Sequence, residues 1–199
     1  MLSVEALSPE DQVVSWYDVN LLDAQNGGRI IHHGTADEAH AVNGGQIIVP
    51  DGRGPLELLK LENGGSFIGK AWGAKQIEVT EGASAIVHGH PHTVSLEDSS
   101  AIIFGRPKNV FVSDTSRLIV VTDRLGYSPE TSEVAGEAFI LKPEEADWNI
   151  SESDQAQLHD IVRAAWHQIL LYRDAANREQ ADAVLLGSLV LHPFPDEVY

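Results

Sequence analysis

The sequence predicts a mainly β chain: a single-stranded β-solenoid of about six coils of 16–20 residues, followed by an α-helical C-terminal region. Three observations predict it. A six-residue phrase returns six times between Asn26 and Leu118, with starts 17, 20, 18, 16 and 16 residues apart. A finer period of eight runs inside it from residue 76 onward. Beyond residue 150 the apolar spacing changes to that of a helix. A turn-forming triplet at near-constant period, each time followed by a strand pattern, is the mark of a coil stacked on copies of itself.

The first segment, residues 1–25, is expected to cap the coils. Ser8-Pro9-Glu10-Asp11 has a helix start's composition, with a capping Ser, Pro at the first position and acids in the first turn. A short helix and then a strand are expected there, covering strand edges that would otherwise template other chains.

The solenoid is assigned to residues 26–125. Its phrases begin at Asn26, Asn43, Asn63, Glu81, Glu97 and Ser113, and the sixth position is always Ile or Leu. Ile31, Ile48, Ile68, Ile86, Ile102 and Leu118 are therefore expected to form one core ladder, with rungs about 4.8 Å apart. Ile30, Ile47, Phe67, Ala85 and Ala101 alternate to the other side and are also apolar, so that side needs a cover. In the later coils each octad is a five-residue strand and a short turn. Gly82, Gly89-His90-Pro91, Asp98, Gly105-Arg106-Pro107 and Asp114 occupy the turns.

Residues 126–150 form a linker around a short strand at 138–141. Residues 151–199 form the helical region. Ser151-Glu152-Ser153-Asp154 resembles a capping box, and Leu158, Ile161, Val162, Ala165, Trp166, Ile169 and Leu170 keep an unbroken helical stripe. A second helix is expected over 178–190. Docking of the first stripe on the solenoid flank, or use of it for oligomerisation, accounts for its apolar face.

Composition narrows function. With 43% hydrophobic residues and no long apolar run, the chain is expected to be globular, cytoplasmic and not membrane-bound. Thirteen basic against thirty acidic side chains, a net charge of −17, disfavour direct nucleic-acid binding. Zero cysteines exclude thiolate metal ligands. His88, His90 and His92 are the candidate metal ligands, since alternating histidines on a strand project to one side. Otherwise no cofactor is expected. His33 lies three coils from His88, too far to share a metal with it. Asp98 and Asp114, with Arg106 and Lys108 between them in sequence, are a candidate acid and base set.

The octads resemble those of bacterial and phage proteins built from tandem eight-residue β repeats, and the coil size is similar to that of bactofilin-type cytoskeletal solenoids. The resemblance covers the middle half of the chain. It implies scaffolding or attachment, and a virion-associated location if the chain is phage-derived. His90-x-His92 with Glu97 also resembles the first metal motif of cupins, although no second motif follows. Three functions are therefore expected in order: a non-catalytic structural or protein-interaction protein with a protein partner or self-association, an acidic DNA mimic that inhibits a DNA-binding protein, and an enzyme with a divalent metal at the histidines.

Overall fold

The computed structural model describes residues 2–50, 54–122 and 127–141. Sixteen strands follow one another in this part of the chain: β1 (Ser3–Ala6), β2 (Gln12–Ser15), β3 (Val19–Gln25), β4 (Arg29–His32), β5 (Ala36–Val42), β6 (Gln46–Val49), β7 (Leu58–Glu62) and β8 (Ser66–Lys70). They continue as β9 (Gln76–Thr80), β10 (Ser84–Gly89), β11 (Thr93–Glu97), β12 (Ser100–Gly105), β13 (Asn109–Val112), β14 (Arg117–Val121), β15 (Thr131–Val134) and β16 (Glu137–Leu141). Odd-numbered strands pair in parallel to form one eight-stranded sheet, and even-numbered strands form the other. The chain is therefore a two-sided β-solenoid of about eight turns. The expected helices at 151–199 lie outside the described residues.

The solenoid has more turns than the repeated phrase marks, because its end coils lack that phrase. Ser8-Pro9-Glu10-Asp11 is a turn between β1 and β2, not a helix start. Asp11 Oδ2 accepts from the Leu7 and Ser8 amides, both at 2.9 Å, and from the Ser8 hydroxyl at 3.0 Å. Those bonds, the Leu7 amide first, lower the Asp11 pKa. Ser, Pro and Asp serve turns as well as helix starts, and parallel pairing of β1 with β3 and of β2 with β4 decides between them.

The corners joining odd to even strands are tight and nearly uniform. Asn26, Asn43, Asn63, Glu81 and Asp98 have left-handed φ between 46° and 54°. Glycine follows the first four of these, also with positive φ, the pattern of a type I′ turn. The asparagines stack: Asn43 Nδ2 donates to Asn26 Oδ1 at 3.2 Å, and Asn63 Nδ2 to Asn43 Oδ1 at 2.5 Å.

The interior lies between the sheets, and it holds the column that the sequence places on the other side. Ile30, Ile47, Phe67, Ala85, Ala101 and Leu118 belong to the core cluster, with Val87, Ile103 and Val120 beside them. The opposing sheet contributes Leu22, Ala39, Leu59, Ile77, Val94 and Val110, together with Ala24, Ala41, Leu61, Val79, Leu96 and Val112. Small and large side chains alternate in four of the coils: Ala24 and Ala41 precede Ile30 and Ile47, whereas Val79 and Leu96 precede Ala85 and Ala101; the coil of Leu61 and Phe67 is large on both sides.

The expected core ladder is instead an outward one. Ile31, Ile48, Ile68, Ile86 and Ile102 pair rung to rung on the outer side of the even-numbered sheet. Its next rung is Ile119, not Leu118, because Ile102 pairs with Ile119. The corner at 113–116 causes this one-residue shift. It is closed by a 2.8 Å contact between the Ser113 and Ser116 hydroxyls. A shift of one residue exchanges the faces of every side chain after it.

Candidate functional site: the irregular corner and the open first coil

The corners joining even to odd strands differ from the tight ones. Two of them, residues 50–57 and 122–130, are longer than the rest. They also carry much of the chain's aromatic and histidine content: Trp16-Tyr17, His32-His33, Trp72, His90, His92 and Tyr127. Such connections on a rigid scaffold are where binding residues concentrate.

At the N-terminal end of this ridge, the Trp16 indole stacks on the His33 ring, with centroids 3.9 Å apart and planes at 13°. His33 is buried and Trp16 is 53% exposed. His32 is buried and its Nε2 lies 3.1 Å from the Thr35 carbonyl, which places the ring hydrogen on Nε2. Its Nδ1 is buried without a hydrogen-bond partner, so a second ring proton would find no acceptor. Burial lowers the His32 pKa from the usual 6.5, against the bond to Thr35, which raises it. Across the corner, Asp18 Oδ1 accepts from the Thr35 amide at 3.1 Å. That backbone bond is the first cause of a lowered Asp18 pKa.

In the middle of the ridge stand the three candidate ligands. His88 is half-buried on the outward side of β10, with the Trp72 ring edge-on to it at 5.0 Å. Burial first, then Lys70 and His90, lower its pKa. His90 lies in the corner, also edge-on to Trp72 at 5.8 Å. Its Nδ1 accepts the Arg106 amide at 3.1 Å, and its Nε2 is 3.3 Å from the Arg106 guanidinium. His92 Nδ1 is 3.2 Å from the Thr93 hydroxyl and 3.4 Å from Asn109 Nδ2. Among the described residues no group of three or more His, Asp or Glu side chains is placed to hold a metal ion. Alternation along one strand does not apply here, because β10 ends at Gly89.

A surface cavity of about 420 Å³ opens at the far end of the ridge, lined by His90, Arg106, Lys108, Tyr127 and Glu130 among others. Lys108 Nζ pairs with Glu130 at 3.2 Å. The Tyr127 hydroxyl donates to the Pro107 carbonyl, and burial pushes its pKa up to about 12. The cavity gathers cationic and hydrogen-bonding groups within an acidic chain. Asp98 and Asp114 sit on the opposite, tight corner, so they do not join Arg106 and Lys108 in one site. Nor does the outer face of the odd-numbered sheet run purely acidic: its central column reads Glu5, Asp23, His40, Lys60 and Glu78.

The first coil is the other unusual feature. Among the described residues β1 and β2 at one end, and β15 and β16 at the other, each pair on one side only, but it is the first coil that carries most of the exposed apolar side chains. Of the seven large exposed apolar side chains among the described residues, five lie in this coil or its corners: Leu2, Leu7, Val14, Trp16 and Tyr17, the last 70% exposed. The sequence analysis does not single out these residues. For Leu7, Trp16 and Tyr17 the signal is a large apolar side chain in a corner; Val14 is instead a strand residue in register with Ile31.

Two His32 consequences are measurable. A base held below its usual pKa leaves the unfolded chain binding more protons, so stability is full above about pH 6.5 and falls as the pH drops below it. The melting temperature at about pH 5.5 is therefore expected to lie below that at about pH 7.5, with a smaller gap in His32→Gln. An unchanged gap in that variant would contradict the assignment.

Comparison of the chain with protein-family models, curated proteins and solved structures finds no match. Among the described residues no helix is long and apolar enough to cross a membrane.

Proposed function

We propose that the protein is a non-catalytic scaffold that self-associates through its first coil, two copies abutting by their open β1 and β2 edges. The observation that carries this reading is the coincidence of those edges with Leu2, Leu7, Val14, Trp16 and Tyr17. Unpaired strand edges offer a row of backbone donors and acceptors. Apolar side chains around them supply the area that association needs. A second copy presents the same edges and the same apolar ring, which suits a two-fold contact. The regular two-sheet stack behind this coil supports a rod-like role, as does the small variation between successive coils.

Sedimentation velocity across a concentration series tests the reading. The full chain is expected to shift from monomer to dimer as concentration rises. Leu7→Glu/Tyr17→Glu is expected to remain monomeric at every concentration, because it places like charges across the contact. Both side chains are exposed, so folding should change by only about 0.5 kcal/mol or less per substitution. A full chain that is monomeric throughout, or a variant that associates equally well, rejects the proposal.

A further inference from the structure

All described strands belong to the two sheets, so none of them lies over the outer face of the even-numbered one. Ile31, Ile48, Ile68, Ile86, Ile102 and Ile119 form a column on that face. They stand outside the interior cluster, yet none is more than 8% exposed. Side chains on the outer surface of a flat sheet reach such burial only beneath other atoms. Small serines border the three middle rungs on one side: Ser66, Ser84 and Ser100 pair in register two positions before Ile68, Ile86 and Ile102, whereas Arg29, Gln46 and Arg117 hold that position beside Ile31, Ile48 and Ile119.

We propose that this column is the seat of the chain's own segment 154–171, laid along it as an amphipathic helix. Three facts favour that occupant. The described residues end at Leu141 in β16, a strand of this same sheet, and residues 142–199 follow in sequence. The stripe of Leu158, Ile161, Val162, Ala165, Trp166, Ile169 and Leu170 gives the segment one apolar face. The lengths also agree: the six rungs from Ile31 to Ile119 are five steps apart and span about 24 Å at the inter-strand spacing, and eighteen helical residues span about 27 Å. The connection 142–153 can extend roughly 40 Å, enough to reach any rung. Burying the column in this way removes a long apolar strip from solvent. The inference does not depend on self-association.

Pulsed electron-spin distances test it in the full chain, which has no native cysteine to interfere with labelling. Labels are placed at Ser84 and Gln168, and in a second sample at Ser95 and Gln168. Ser84 belongs to β10 and Ser95 to β11, in opposite sheets. The expected result is a narrow Ser84–Gln168 distribution, shorter than Ser95–Gln168 by about the 10 Å separation of packed sheets. Dilution with unlabelled protein should leave it unchanged. Ile161→Asp should broaden it while a Ser84–Ser95 pair keeps its distance. A broad distribution in the unsubstituted segment, or a shorter distance to Ser95, overturns the proposal. Loss of the short distance on dilution also overturns it, by assigning the column to a second copy.

Discussion

Phe67→Ala is expected to cost about 3–5 kcal/mol of folding stability, the range for deleting a fully buried aromatic side chain. Phe67 is 0% exposed in the interior, between Ile47 and Ala85 in its column. The neighbours are poorly placed to fill the space: Ala85 carries only a methyl group, and Ile47 is itself fully buried in the adjacent coil. A urea titration reads the loss directly as a lower midpoint at unchanged slope. A loss below about 1 kcal/mol would mean that Phe67 does not occupy the core. Ser84→Ala, outward on the neighbouring strand, is the control and should change stability by no more than about 0.5 kcal/mol.

Gly45→Ala is expected to be the more damaging of two substitutions one residue apart. At Gly44 the obstacle is conformational, since its φ is +76° and the nearest atom to an added Cβ is 4.0 Å away. Left-handed strain of about 1–2 kcal/mol covers that case. At Gly45 the obstacle is steric: an added Cβ would lie 2.0 Å from the Ala24 carbonyl oxygen. That oxygen is backbone in the adjacent coil and cannot rotate away, so two rungs must separate. The cost is expected to be about 3 kcal/mol, at the upper end for overpacked sites. Gly28 and Gly65 meet the Ala6 and Ala41 carbonyls in the same way. If denaturation shows Gly44→Ala to be the worse of the two, the stacking of corners described above is wrong.

How much of this was legible in the sequence depends on which physical signal each feature leaves. Asn-Gly-Gly at a regular period is a strong signal, because few residues accept two successive left-handed positions, and it revealed the coils and their corners. The face assignment failed because Ile30-Ile31 and Ile47-Ile48 are apolar on both sides of the strand. Period-two alternation cannot tell inside from outside when both columns are apolar. The slip from Leu118 to Ile119 had no signal in the strand, since Leu118 and Ile119 are both apolar and the extra residue hides in the 113–116 corner.

The end coils were missed because a solenoid's first turn need not repeat the phrase of its middle. Ser8 and Asp11 close their corner with side-chain bonds, where Asn and Gly close the others by backbone conformation. The exposed Trp16 and Tyr17 were visible as letters, but their exposure follows from their place at a corner, which the repeat did not mark. The histidines drew attention because their spacing suits a metal. Only His88 lies on a strand, because β10 ends at Gly89, where it pairs with Gly105.

The central claim is that the first coil is the self-association surface, and amide hydrogen exchange at low and high protein concentration tests it most directly. Residues 2–17 are expected to gain protection as concentration rises, while β6 to β12 are protected at both concentrations. Protection that rises with concentration elsewhere, with residues 2–17 unchanged, would contradict it.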